Sequence, residues 1–177
     1  MDYNNGQLPP NTLAFIALSN EYCAAIENMP SSSTMSEFVD TMLRLLPRIY
    51  IAASDLRVSN PDEAYIEPLM DENTYNATVS SISALMGEHD SYLEVFEDDM
   101  KFSETPIGAS ISEGLADIMQ ILFNFVEQAK DAPDHIVQAA IAGVKEDFCE
   151  YWSRILCNVL RALNAVKYSG ACEEYDF

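Results

Sequence analysis

Apolar side chains recur along most of this chain at three- and four-residue intervals, the spacing of one face of an α-helix and not the alternation of a strand. Phe15, Leu18, Tyr22, Cys23 and Ile26 share one phase after Pro9 and Pro10, predicting a first helix over residues 11–28 that Met29 and Pro30 end. Thr34 and Glu37 have capping-box spacing, in which the hydroxyl accepts from the third amide while the carboxylate bonds back to the cap. Phe38, Met42, Leu45, Leu46 and Ile49 then form the inner face of a second helix. Pro47 lacks an N–H and crowds the preceding turn, which predicts a kink or break near Leu46.

Residues 54–70 are turn-rich and acidic, a connection and not a domain linker. Asp71 is placed to cap a third helix carrying Tyr75, Val79, Ile82, Leu85 and Met86, with Gly87 as its stop. Residues 92–96 fit a short helix or an extended piece, and residues 98–109 read as a loop. Ser112 is the expected cap of a fourth helix reaching Lys130, with Leu115, Ile118, Met119, Leu122, Phe125 and Val126 inward.

The last third carries the longest pattern. Val137, Ile141, Val144, Phe148, Trp152, Ile155, Val159, Leu163 and Val166 keep one phase at about 3.6 residues, so a single helix of roughly 50 Å is expected from Pro133 to about Tyr168. Gly143 costs that helix about 1 kcal/mol and is its expected weak point. Tyr151, Leu156, Cys157 and Leu160 widen the apolar surface, so this helix belongs inside a bundle or at a dimer interface. The fold class is all-α: one domain over residues 1–177, a bundle of about five helices with the long C-terminal helix central. Residues 1–10 and 169–177 are expected to be flexible ends.

Composition narrows the function classes. The chain has 177 residues, 29 Asp and Glu against 9 Lys and Arg, and a net charge of -20. Phosphate backbones and anionic membranes require clustered cations, so nucleic acid and membrane are excluded as expected partners. The charge is uneven: residues 57–104 hold 12 acids and 2 bases. That segment suits a basic protein partner, an imitation of nucleic acid, or simple solubility. The first residues have no basic or apolar run, and a cytoplasmic setting is expected. Cys23, Cys149, Cys157 and Cys172 lack metal-site spacing, and Cys149 and Cys157 would lie about 12 Å apart along one helix, too far for a disulfide. They are expected to be reduced and mostly buried.

The densest chemistry lies in Gly87, Glu88, His89, Asp90, Ser91, Tyr92, Leu93, Glu94, Val95 and Phe96, which join one of two histidines to carboxylates and aromatics. A carboxylate beside a histidine fixes the imidazole tautomer and favours its protonated form, as a general base requires. A histidine at a helix C-terminus is also favoured by the helix dipole alone, and the structural role is the expectation. Asp90 and Glu94, Glu113 and Asp117, and Glu146 and Glu150 have helical carboxylate spacing that suits a divalent cation. Glu113, Asp117, Gln120, Asn124 and Glu127 nevertheless recur like a solvated helix face. The Glu-x-x-His pairs of di-iron bundles, zinc-protease motifs, phosphate loops and the nucleophile elbow are absent. No metal and no cofactor are implied.

Several of these residues resemble an uncharacterised bacterial family classed only as a domain of unknown function. Gly87, His89, Asp90, Tyr92, Glu94, Val95 and Phe96 match its first motif; Ser110, Ile111, Ser112, Leu115, Ala116, Asp117 and Ile118 match its second. Phe148 and Trp152, then Leu160, Arg161, Ala162 and Leu163, follow in the family's order. The resemblance implies an all-helical fold and carries no activity. Family members often have histidines around the tryptophan, whereas Tyr151, Ser153, Arg154 and Ile155 surround Trp152 in this chain, which counts against chemistry needing several histidines.

The reading favoured by these residues is a non-enzymatic interaction or accessory module, presenting its acidic middle or a helix face to a basic protein partner, with a homodimer through the C-terminal helix as a further expectation. The rival is a small enzyme or ligand-binding protein, acting on nucleotides or phosphates with or without a divalent metal, whose pocket is formed by His89, Asp90, Asp117 and Arg161 beside Trp152.

Overall fold

The computed structural model describes residues 8–29, 34–94, 102, 105, 107–170 and 172. Most of the expected flexible ends, together with Val95 and Phe96 of the motif and much of the expected loop over 98–109, lie outside these residues. Helices α1 (Pro10–Asn28), α2 (Met35–Ser54), α3 (Glu72–Met86), α4 (Ile111–Ala129), α5 (Asp134–Asp147) and α6 (Ser153–Tyr168) follow in order. A π-helical turn, Phe148–Trp152, joins α5 to α6 without interruption, so the described residues form five helical rods. The only strands among them, β1 (Ser91–Leu93) and β2 (Gly108–Ser110), make one short antiparallel pair in which Tyr92 faces Ala109. The architecture is all-α.

Helix α4 packs against α1, α3, α5 and α6, while α6 also packs along α2. The C-terminal rod thus shares the centre of the bundle with α4. An aromatic chain crosses that centre: the Phe15 ring lies 5.2 Å from Phe125 and 6.5 Å from Trp152, which meets Phe148 edge-on at 4.7 Å. Such rings combine large buried area with favourable edge-to-face geometry. Trp152 is fully buried, and its indole N–H donates to the Val144 carbonyl at 3.2 Å.

Three sequence expectations are corrected. Of the kink or break expected near Leu46, the break does not occur, since helix α2 continues through Pro47 to Ser54. Its C-terminal carbonyls are partly satisfied from outside, since the Lys145 ammonium donates to the carbonyls of Ala53 and Ser54 at 3.1 and 2.7 Å. A cation there also opposes the negative end of the helix dipole. The C-terminal rod departs from α geometry at Phe148–Trp152 and not at Gly143. The π turn adds about one residue, so the buried phase moves from Ile155 to Leu156 before resuming at Val159 and Leu163. Only Cys23 of the four free cysteines is buried; Cys149 and Cys157 are exposed.

Gly143 has another role. A Cβ there would sit 2.8 Å from Ile66 Cγ1 and 2.9 Å from the Tyr65 carbonyl carbon. The connection after α2 therefore runs directly over α5, with the Tyr65 N–H donating to the Ala139 carbonyl at 3.1 Å. Two buried amides on α4 complete its hydrogen bonding. Asn124 Oδ1 accepts from the N–H groups of Leu69 and Met70 at 3.0 and 2.8 Å. Gln128 accepts from the Glu67 N–H at 2.7 Å and donates to the Tyr65 carbonyl at 3.0 Å. Asn124, read in the sequence as part of a solvated stripe, is in fact buried because an irregular segment cannot bury its backbone without such partners.

Candidate functional site

Each helix start around the motif follows from a local polar residue. Thr34 and Glu37 form the expected capping box, and Asp71 accepts from the Thr74 N–H at 2.7 Å. Gly87, at φ 55°, ends α3 in the left-handed region that a side chain disfavours. The chain then makes one turn of 3-10 helix, Gly87–His89, and delivers Asp90 to the N-terminus of α4.

Asp90 is buried, and both of its carboxylate oxygens are bonded to Ser112. Oδ1 accepts from the Ser112 N–H at 2.8 Å and Oδ2 from the Ser112 hydroxyl at 2.7 Å, while the Asp90 carbonyl accepts from the Ile111 N–H at 2.8 Å. The true cap residue of α4 is Ser110, whose hydroxyl accepts from the Glu113 N–H at 3.3 Å. Ser112, expected to cap, is instead the donor to Asp90. Three of the helix's otherwise unpaired amides are thereby satisfied, and a carboxylate meets the positive end of the dipole.

The motif's remaining polar groups tie the same segment to α6. Glu94 accepts from the Tyr92 hydroxyl at 2.9 Å and from the Asn158 side-chain amide. Arg161 donates to the Leu93 carbonyl at 2.8 Å. Residues 87–94 are thus a clasp joining the end of α3, the start of α4 and the side of α6. His89 stands apart from it: the imidazole is about one-third exposed and lies 3.8 Å from Glu88.

Asp117 occupies a second polar setting. It accepts from Tyr75 at 2.8 Å and from the exposed Tyr151 at 3.3 Å. Burial raises its carboxyl above the usual range, the two phenols pull it back, and the charge of Glu113 adds to the rise. The Tyr75 hydroxyl is raised in turn, by burial first and by its bond to Asp117 second. Among the described residues no group of three or more His, Cys, Asp and Glu side chains is arranged to hold a metal ion.

Of the five residues proposed as one pocket, the structure links Asp90 to Arg161 only through the backbone of β1, buries Trp152 in the aromatic core, and places Asp117 between two tyrosines. Of the five, Arg161 lines an open groove of about 590 Å³ between α2 and α6. Asp40, Leu43, Arg44 and Pro47 form one wall; Cys157, Leu160, Arg161, Asn164, Lys167 and Tyr168 form the other. Lys167 pairs with Asp40, and among the described residues neither Arg44 nor Arg161 has an ion-pair partner. Sequence reading singled out Arg161 but missed the groove. The spacing of residues 40, 43, 44 and 47, and of 157, 160, 161, 164 and 168, marks one face of each helix, yet nothing in either sequence says that the two faces adjoin.

The fold and the polar clasp define an all-helical bundle in which most of the motif's polar chemistry braces the structure and an open, cation-bearing groove faces outward. The chain belongs to the DUF5063 family, described as a domain of unknown function, whose pattern matches residues 7–169. The crystal structure of protein BF1032 from Bacteroides fragilis is similar over 95% of this chain and 97% of that chain, at 30% sequence identity and a TM-score of 0.77. A comparison with curated proteins found no match. Among the described residues no helix is long and apolar enough to cross a membrane.

Proposed function

We propose that this protein is a non-enzymatic interaction module that presents the outer face of α2 and α6 to a protein partner. The observation that carries this reading is the groove: an open surface of about 590 Å³ lined by side chains of two neighbouring helices. The groups that suggested catalysis support the same conclusion from the other side. Asp90, Glu94 and Arg161 make internal hydrogen bonds that tie separate elements together, and Trp152 bonds within its own rod to Val144. A catalytic pocket instead gathers convergent polar groups in an enclosed space.

Site-directed photocrosslinking tests the proposal. A photoreactive label on Cys157, in a chain whose Cys149 and Cys172 are replaced by Ser, is expected to give a discrete protein adduct in extract. The same label on Cys149, exposed outside the groove, should not. The adduct should vanish when Arg44→Glu is added. Identical adducts from both positions, or none, would count against the reading.

The charge supports a second reading, in which the acidic surface recruits a basic partner. Five of the nine Lys and Arg residues lie on α2 and α6, namely Arg44, Arg48, Arg154, Arg161 and Lys167, so carboxylates dominate elsewhere. Retention of a basic partner that weakens as salt rises, and that is unaffected by Arg44→Glu, would favour it.

A further inference from the structure

Resting on the groove reading above, we propose that the α2–α6 groove takes a short acidic segment of a partner protein, in extended form and carrying an apolar or aromatic side chain. The first argument is charge. Arg44, Arg161 and Lys167 face the groove with Asp40 as the one carboxylate among its described lining residues. Because Asp40 pairs with Lys167, Arg44 and Arg161 keep no ion-pair partner among the described residues of a chain whose net charge is -20. Arg161 bonds the neutral Leu93 carbonyl, a contact that fixes the guanidinium without cancelling its charge. A carboxylate entering this groove meets a local field opposite to that of the whole molecule, and forked guanidinium groups pair well with carboxylates.

Shape argues for a peptide in place of a small metabolite. Pockets for small ligands are concave and bury most of the ligand's surface. This groove is open and follows α6 from Cys157 to Tyr168, about 16 Å at the helical rise. That length accommodates about five extended residues. Two arginines on a strongly acidic chain are too few to hold a phosphate backbone, which repels the rest of the surface.

The walls supply the remaining chemistry. Leu43, Pro47 and Leu160 are apolar, and Tyr168, 74% exposed, offers a ring face. Pro47 has no N–H, so the Leu43 carbonyl lacks the donor that an uninterrupted helix would give it. Both residues line the groove. A peptide brings backbone N–H groups to such an acceptor; a simple dicarboxylate brings none.

Fluorescence anisotropy of a labelled five-residue peptide containing three acids, one tyrosine and one phenylalanine tests the proposal on the full chain. Saturable binding that weakens as salt rises is expected, with loss of about tenfold or more in Arg44→Glu plus Arg161→Glu. Arg57→Glu plus Lys130→Glu makes the same change in net charge on exposed residues outside the groove and should bind as wild type. Circular dichroism of both doubles establishes folding; should Arg161→Glu unfold the chain, Arg44→Glu alone carries the test. Equal losses in the two doubles, or equal binding of a peptide with lysines in place of its acids, would overturn the proposal. So would about tenfold tighter binding to a chain lacking residues 173–177, because the chain's own acidic end would then be the occupant. If the Cys157 crosslink persists while the acidic peptide fails, the acidic chemistry is wrong and the interaction reading stands; if both fail, both are wrong.

Discussion

The carboxylate of Asp90 holds Ser112 by both its backbone N–H and its hydroxyl, at 2.8 and 2.7 Å, across 22 residues of sequence. This pair decides how the His89 and Asp90 motif is read. A carboxylate spent on a helix N-terminus is poorly placed to orient a neighbouring imidazole, so the two adjacent residues part company: Asp90 supports the fold, and His89 faces partly outward.

His89→Ala should therefore be nearly neutral for stability. The imidazole is about one-third exposed and lies 3.8 Å from the exposed Glu88. A change within about 0.5 kcal/mol is expected from urea denaturation. A loss above about 2 kcal/mol would place the imidazole in the clasp.

Gly143→Ala should destabilise despite the better helix propensity of alanine, worth about 1 kcal/mol. The new methyl group would lie under 3 Å from the Tyr65 backbone and from Ile66. Displacing that connection costs about 1–3 kcal/mol. A lower denaturation midpoint checks this, and a higher one would mean that residues 64–70 sit loosely on α5.

Asn124→Ala should leave the N–H groups of Leu69 and Met70 without their shared acceptor. Loss of a buried amide partner costs about 1–3 kcal/mol. Hydrogen exchange at Leu69 and Met70 should speed up more than at residues of the aromatic core. Unchanged protection at both would contradict the assignment.

Asp117 predicts a specific pH dependence. Its raised carboxyl binds a proton more tightly in the folded state than in the unfolded chain, so this group's contribution to stability falls as pH climbs from the ordinary carboxylate range through the raised value. Asp117→Asn fixes an uncharged side chain whose single amide oxygen still accepts from Tyr75, while its amide nitrogen faces Tyr151 as a donor. The variant's melting temperature should match wild type below the ordinary carboxylate range and exceed it increasingly toward neutral pH. A deficit that grows with pH would show that the phenols stabilise the charged form more than burial disfavours it.

Much of the bundle was legible because its determinants are local. Helix phase, the Thr34 and Asp71 caps and the Gly87 stop depend on residues within a turn or two of one another. The Asp90 to Ser112 bond was not legible, since it joins segments whose approach only the tertiary fold dictates. The same is true of Gly143, whose missing side chain answers to Tyr65 and Ile66, and of Asn124, whose polar character suggested solvent where it serves a buried backbone. The π turn did leave a trace: Phe148, Trp152 and Leu156 are spaced by four, and Leu156 was read only as a widening of the apolar face. Arg161 could be singled out as a cation on a polar stripe, but the groove it lines needed α2 alongside.

The most direct test of the clasp is a double-mutant cycle on Asp90→Ala and Ser112→Ala, read by equilibrium urea denaturation. Ser112→Ala removes the hydroxyl bond to Oδ2 and keeps the backbone bond to Oδ1, so each single change is expected to destabilise and the hydroxyl bond to couple the two by about 1–3 kcal/mol. Additive effects, with a coupling indistinguishable from zero, would contradict the structural reading of the motif and return Asp90 to His89 as a candidate for chemistry.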